Sequence, residues 1–345
     1  TVELFKNLRV MAEEGKSILF ITHKLYEVMT FADRITVLRN GRSVASMLKQ
    51  DTDQDTLTRL MVGREVMNVP AASQRPAPGE VVLTMTDVSV MGDKGVPALN
   101  GLNLNIRKGE ILGIAGVAGN GQRELSEVLA GLRKPLGGKI TLKGKDITGH
   151  NSKQAVKNGV GFIPEDRMGV GLVGTLDLVD NSMLRDYDSP FCTKHGVLNK
   201  KRIVGRANKF VEKYEIKNAG IYKPVSLMSG GNLQKLLIAR EVNGETDLLV
   251  AAYPVHGVDI GATEVIHKIL VEQRDRGAAI ILISEDLEEL FQLSDRVAAL
   301  TKDKITGIVE IDTISQETYN EVGRLMLGHR GTVSRCAAED GGEAE

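Results

Sequence analysis

The sequence predicts an α/β protein built on a mostly parallel sheet. Three observations carry that prediction. Leu248-Leu-Val-Ala-Ala252 and the run from Ala279 to Ser284 are continuous apolar stretches of strand length, the pattern of strands covered on both faces. A segment of helical period, from about Ala262 to Arg276, separates them. A third short apolar run, Ile111-Leu-Gly-Ile-Ala115, ends in glycines and leads into apolar residues at helical spacing. Buried strands alternating with helices specify a parallel sheet with helices packed on it.

The remaining elements follow along the chain. Leu102-Asn-Leu-Asn-Ile106 alternates strictly and predicts a half-buried strand. After Gly121, residues Leu125, Val128, Leu129 and Leu132 share one helical face. Lys139-Ile-Thr-Leu-Lys143 reads as an edge strand. Leu233 to Val242 reads as a helix with Leu236, Leu237 and Ala239 inward. Residues 329–345 are small, polar and acidic, a composition that predicts disorder.

Composition excludes several classes. At 345 residues the chain is too long for one average domain. Lys plus Arg (44) nearly balances Asp plus Glu (45), so the chain lacks the bulk positive charge that grips nucleic acid. Two cysteines, Cys192 and Cys336, are too few for a disulfide framework and point to a reducing compartment. Apolar runs such as Ala278 to Ile283 fall far short of the ~20 residues that span a bilayer.

An internal repeat sets the domain organisation. Gly15-Lys-Ser-Ile-Leu-Phe-Ile-Thr-His23 matches Gly277-Ala-Ala-Ile-Ile-Leu-Ile-Ser-Glu285 at an offset of 262 residues. The register continues through Leu25/Leu287, Glu27/Glu289, Asp33/Asp295, Arg34/Arg296 and Leu38/Leu300. After a three-residue slip, Arg59 to Gly63 matches Arg324 to Gly328. Residues 1–63 thus read as the C-terminal remnant of a first domain and 64–79, rich in Pro and Ala, as a linker. Residues 80–328 read as a complete second domain and 329–345 as a tail. The favoured reading is a piece of a longer protein with two similar domains; a short protein with a vestigial first copy is the alternative.

Gly116-Val-Ala-Gly119-Asn120-Gly121-Gln122-Arg123 lies between an expected strand and an expected helix, the context of a phosphate-binding loop. Glycines let backbone N–H groups turn inward, and the helix N-terminus adds partial positive charge. The side chains that would complete the site are different. Gln122 stands where a lysine would hold phosphates, and Arg123 where a Ser or Thr would hold Mg²⁺. A glycine-rich turn with no ligand fits the same residues, although Arg123 retains a fork of donors that suits phosphate.

Leu227-Met-Ser229-Gly230-Gly231-Asn232-Leu-Gln234-Lys235 stands at a helix start, 113 residues beyond the loop. Ser-Gly-Gly-Asn followed by Gln-Lys resembles the signature motif of ABC-type ATPases. Phe162-Ile-Pro164-Glu165-Asp166-Arg167 is similar to a segment of the simple-sugar and nucleoside importers within that family. Gly257-Val-Asp259-Ile-Gly-Ala262 and Gly119 to Leu125 resemble the second half of those tandem ATPases. The resemblance covers nearly all of Glu80 to Gly328, and residues 1–63 resemble the end of the first half.

This resemblance implies a P-loop NTPase fold of the ABC ATPase type, with an antiparallel β subdomain and a helical subdomain carrying the signature. It implies that Gly116, Gly119, Asn120, Gly121, Gln122, Arg123, Glu165, Asp259 and Glu285 border one nucleotide site. Ser229, Gly230, Gly231, Asn232 and Gln234 would serve a second site, whose phosphate loop lies in the other domain. His23 occupies the switch position of the first copy and is the expected catalytic residue. In the second copy that position is Glu285, and the acidic pair expected before Pro254 is Ala252-Tyr253. No aromatic residue lies between Phe31 and Phe162 to stack on adenine, which leaves Met91 as the stand-in.

The expected reading is therefore one working ATP site, which His23 and the Ser229 turn complete, and one degenerate site. ATP is the expected ligand. Mg²⁺ belongs to the first domain's site, and no metal ligands are expected within this chain. Expected partners are two membrane permease subunits, an extracytoplasmic substrate-binding protein and the missing first ATPase domain, at the cytoplasmic face of the membrane, with no nucleic acid. The rivals are a pseudo-ATPase binding module and a soluble tandem ABC ATPase unconnected with transport.

Overall fold

The computed structural model describes residues 2–22, 24–39, 41–62, 77–311 and 315–329. The chain folds as two compact units: residues 1–68 with 258–264, and residues 69–257 with 265–345. The expected linker lies mostly, and the expected tail almost wholly, outside the described residues.

The first unit holds helix α1 (Val2–Glu13), helix α2 (Leu25–Phe31), the hairpin strands β1 (Arg34–Arg39) and β2 (Arg42–Leu48), and helix α3 (Gln54–Val62). Ala32, Ile35, Val37 and Leu57 form its small core. Residues 16–22 join α1 to α2 without regular structure, and Leu19 and Ile21 are each 93% exposed.

The second unit begins with antiparallel strands β3 (Val81–Met91) and β4 (Pro97–Arg107), then strand β5 (Ile111–Ala115) and helix α4 (Gln122–Leu129). Strands β6 (Gly137–Leu142) and β7 (Lys145–Asp146), helix α5 (Ser152–Lys157) and strand β8 (Val160–Ile163) follow. A helical portion contains α6 (Leu178–Met183), the short hairpin β9 (Thr193–Lys194) and β10 (Val197–Leu198), α7 (Lys200–Lys213) and α8 (Gly230–Glu241). Strand β11 (Leu248–Ala252), helix α9 (Ile260–Asp275), strand β12 (Ala279–Ile283), helix α10 (Leu287–Leu293), strands β13 (Arg296–Thr301) and β14 (Lys304–Glu310), and helix α11 (Gln316–Met326) complete the chain.

The central sheet has the order β14-β13-β5-β12-β11-β8. Its inner pairings are parallel, and only β14 runs antiparallel, on the outer side of β13. Every residue of β5, β11 and β12 is buried, as their uninterrupted apolar sequences require. A second, antiparallel sheet has the order β4-β3-β6-β7. The two sheets, together with α4, share one core in which Leu99, Leu104, Ile114, Leu125, Val250 and Ile281 meet. Burying one such side chain contributes about 1.5–3 kcal/mol.

Three sequence expectations need correction. Lys139–Lys143 is not the edge of its sheet: Gly144 turns the chain at positive φ, and β7 pairs outside β6 through Thr141 and Leu142. Leu132 does not continue the α4 stripe. The helix ends at Leu129, Gly131 adopts a positive φ, and Leu132 is exposed. Helix α8 begins at Gly230, three residues ahead of the expected Leu233, so the Ser-Gly-Gly turn is itself the helix tip.

Candidate functional site

The loop between β5 and α4 forms the first of two candidate sites. Gly121 is the N-cap of α4 with φ 104°, a conformation costly for any residue with a Cβ. A Cβ there would also lie 2.3 Å from the Ala98 carbonyl oxygen, so only glycine fits. Gly116 is buried, Gly119 exposed and Asn120 partly buried, with its Oδ1 accepting from the Lys302 N–H at 3.1 Å.

Gln122 does not reach outward as a phosphate-holding lysine would. It is 2% exposed and folds back into the loop. Its Nε2 donates to the Val117 carbonyl at 3.0 Å, and its Oε1 accepts from the Asn120 N–H at 3.0 Å. One of the loop's backbone donors is thus taken by the loop's own side chain. Arg123 donates to Glu127 at 2.7 Å and pairs with Asp93 at 3.2 Å, contacts that raise its pKa, the Glu127 hydrogen bond foremost. These carboxylates already engage Nε and Nη1 of the fork that suited a phosphate.

Across β11 the same candidate site is acidic. Tyr253 follows Ala252 with φ 50°, an uncommon left-handed conformation for a bulky residue. Its N–H donates to the Ile283 carbonyl at 2.8 Å, which extends the β11–β12 pairing by one residue. Burial, then the negative charges of Glu285 and Glu165, push the phenol pKa up to about 12. Glu165 and Glu285 are both exposed. Arg123 and Ala252 offer no side-chain oxygen to a divalent cation, so these side chains do not fit a Mg²⁺ ion at the positions where the loop and the strand end would hold it. Met91, the expected adenine partner, is exposed at the end of β3.

The second candidate site is the tip of α8. Ser229 is its N-cap, in extended conformation, yet its side chain makes no capping bond. Instead Asn232 Nδ2 donates to Ser229 Oγ at 2.8 Å, while Asn232 Oδ1 accepts from the Lys217 N–H at 2.8 Å. Ser229 Oγ therefore accepts from the protein and keeps its own O–H as a donor. The first N–H groups of the helix are left without a side-chain cap at an exposed serine, and their orientation suits an anion. Gly230 is partly buried and Gly231 buried. Gln234, grouped with this tip in the sequence, faces inward at 1% exposure. Asp259 caps α9, accepting from the Ala262 N–H at 2.9 Å.

His23 lies outside the described residues, but its neighbours reveal a device that spacing alone did not. Thr22 Oγ1 donates to Glu27 Oε2 at 2.8 Å and accepts from the Lys24 N–H at 3.1 Å. In the second copy Ser284 Oγ donates to Glu289 Oε2 at 2.6 Å and accepts from the Asp286 N–H at 3.1 Å. The two turns match bond for bond at the repeat offset. Each brackets, in sequence, the position expected to be the switch, His23 in one repeat and Glu285 in the other. In the second copy His267 Nε2 lies 3.0 Å from Glu289 Oε1, within a buried cluster. The Glu27/Glu289 identity within the repeat was the available signal.

Comparison with known proteins agrees with this geometry. Residues 99–254 match the family model described as ABC transporter. The chain is 40% identical over 328 residues to the nucleoside import ATP-binding protein NupA of Lactococcus lactis, covering 94% of this chain and 64% of that protein. It is 40% identical to the guanosine import ATP-binding protein NupO of Bacillus subtilis, covering 94% of this chain and 63% of that protein. It is 31% identical to the galactose/methyl galactoside import ATP-binding protein MglA of Escherichia coli, covering 94% of this chain and 63% of that protein. The chain thus spans less than two thirds of the length of these relatives. Among solved structures, the post-hydrolysis dimer of the ATP-binding cassette MJ0796 bound to ADP and Pi superposes with a TM-score of 0.58 at 20% identity, covering 67% of this chain and all of that one. A nucleotide-free ATP-binding cassette from an ABC transporter superposes with a TM-score of 0.57 at 20% identity, covering 70% of this chain and 95% of that one. The fold is thus that of an ATP-binding cassette, and residues 99–254 carry an ABC transporter domain.

Proposed function

We propose that this chain is part of the ATP-binding, energy-coupling subunit of an importer for simple sugars or nucleosides. Its complete ATPase domain, residues 80–328, lends the α8 tip to a nucleotide held by another ATPase half. One observation carries the reading. Ser229 Oγ is held as an acceptor by Asn232 over an uncapped helix N-terminus, an arrangement suited to the γ-phosphate of ATP. The import functions that name the relatives, for nucleosides, guanosine and galactose, support the substrate class.

Residues 1–63 are, in this reading, the end of a first ATPase domain. Leu19 and Ile21, each 93% exposed, support it, because their repeat counterparts Ile281 and Ile283 are fully buried in β12. His23 then acts at the first domain's site, where Mg²⁺ is also held. The loop at Gly116–Arg123 is a degenerate site, with Gln122 folded inward, Arg123 in place of the Ser or Thr that holds Mg²⁺, Ala252-Tyr253 in place of the acidic pair, and Glu285 at the switch position. ATP binding draws the halves together, and hydrolysis releases them. Two membrane permease subunits would transmit that motion at the cytoplasmic face, and an extracytoplasmic binding protein would deliver the substrate.

The experiment measures phosphate release. The 345-residue chain by itself is expected to show no Mg²⁺-ATP turnover. A longer protein carrying an intact phosphate loop ahead of it turns ATP over, and Ser229→Trp lowers that rate roughly 10²-fold or more. Robust turnover by the chain alone, abolished by Gln122→Ala, overturns the reading. Indifference of the longer protein to Ser229→Trp overturns it equally. Co-purification with a membrane permease separates the importer from a soluble ATPase.

A further inference from the structure

Arg167 closes the Pro164–Arg167 segment, and neither composition nor resemblance supplies a role for it. It opens the turn Arg167–Gly171 that follows β8. Asp166 pins that turn, accepting from the Met168 N–H at 3.1 Å and the Gly169 N–H at 2.8 Å. A Cβ on Gly169 would fall 2.2 Å from Asp166 Oδ2, so the pin requires glycine there. The turn also rests on α8, since a Cβ on Gly171 would lie 2.9 Å from a Leu237 methyl.

So held, the Arg167 guanidinium reaches two other segments. Nη1 donates to the Gly230 carbonyl at 3.0 Å, at the first residue of α8. Nη2 donates to the His256 carbonyl, in the loop that follows β11. Among the described residues no carboxylate forms an ion pair with it, and burial lowers its pKa below the usual arginine range. The acceptors that meet this cation are thus backbone carbonyls from two separate segments, the start of α8 and the loop after β11. Two acceptors at a fixed separation suit a planar fork, which a lysine ammonium does not provide.

We infer that Arg167 is a positioning residue that clamps the Ser229-Gly230-Gly231 tip to the turn after β8 and to the loop after β11. The inference rests on the proposed role of that tip in phosphate binding. The tip keeps its direction because the Gly230 carbonyl is tied from outside the helix. Because Arg167 directly follows Pro164-Glu165-Asp166, a displacement of that segment moves the tip with it. Movement on one side of the domain thereby reaches the group that faces the nucleotide. Glycine at 230 is part of the device, since a Cβ there would lie 3.1 Å from Arg167 Nη1.

Amide hydrogen exchange on the full chain tests the clamp. Arg167→Lys and Arg167→Met are each expected to speed exchange at residues 229–233 about tenfold, with β11 and β12 unchanged. Gly230→Ala, which crowds the same guanidinium, is expected to act in the same direction. Unchanged exchange at 229–233 in both Arg167 variants overturns the clamp, as does acceleration spread evenly through the central sheet. In a longer protein with an intact phosphate loop, Arg167→Lys is expected to lower kcat roughly 10- to 100-fold with KM within about twofold, as misplacement of a reacting group does. Faster exchange at the tip with kcat unchanged would leave the contact standing and sink the phosphate-binding role of the tip. The two failures are therefore distinguishable.

Discussion

Gln122 and Asn120 close a ring within the Gly116–Arg123 loop: the Asn120 N–H donates to Gln122 Oε1 at 3.0 Å, in a loop whose glycines the sequence reading expects to turn backbone donors toward an anion. The side chain two residues on supplies, internally, the oxygen that a phosphate supplies in a loaded loop. A neutral amide can do this with both of its ends, because Nε2 also satisfies the Val117 carbonyl. A lysine in the same place would need an external anion.

Gln122→Ala is therefore expected to destabilise the chain although it removes no apolar core. The Asn120 N–H and the Val117 carbonyl lose their partner, a loss of about 1–2 kcal/mol. Urea unfolding followed by circular dichroism measures it. A midpoint identical to that of the parent chain would show that the ring contributes nothing.

Tyr253 makes stability depend on pH at the alkaline end. Its folded pKa stands at about 12, against the usual 10.0, because burial and then Glu285 and Glu165 disfavour the phenolate. The folded chain thus keeps a proton that the unfolded chain releases. Raising pH from about 10 towards 12 therefore favours the unfolded chain, and the phenol's contribution to stability is fully present only below that window. Thermal midpoints across that window should fall less steeply for Tyr253→Phe than for the parent chain. Parallel curves would refute the assignment.

Glu289 anchors two buried partners, Ser284 Oγ at 2.6 Å and His267 Nε2 at 3.0 Å. Glu289→Ala strands both and should cost about 2–4 kcal/mol, whereas Ser284→Ala, which removes the bond to Glu289 and the one accepted from the Asp286 N–H but leaves His267 paired, should cost about 1–2 kcal/mol. Equilibrium unfolding of the two variants gives the comparison directly. Equal losses would mean that His267 does not depend on Glu289.

Leu19 and Ile21 should tolerate charge. Each is 93% exposed, so Leu19→Lys with Ile21→Lys is expected to move stability by no more than about 0.5 kcal/mol. The same pair should reduce self-association measured by sedimentation, since unpaired apolar segments template contacts between copies. The control is Ile281→Lys. That residue matches Leu19 in the repeat but is fully buried in β12, and a lone charge there should prevent folding. Similar tolerance at Leu19/Ile21 and Ile281 would contradict the difference in environment.

The sequence by itself determined the architecture of the second unit. The uninterrupted apolar runs of β5, β11 and β12 could only be satisfied between two other strands and beneath helices, and the structure places each between parallel neighbours. The glycine loop and the Ser-Gly-Gly tip were also legible, because backbone that must turn sharply or present bare N–H groups demands glycine at fixed spacing. Tertiary structure decided what the side chains do there. That Gln122 folds inward, that Asn232 holds Ser229, and that Arg167 joins residues 63 and 89 positions away are matters of direction and distance across separate elements. Sequence spacing carries no such information, since each of these side chains had several donors or acceptors within reach of its length. The same limit explains residues 17–22. Their apolar pattern parallels that of β12, but a strand exists only where neighbouring strands take its hydrogen bonds.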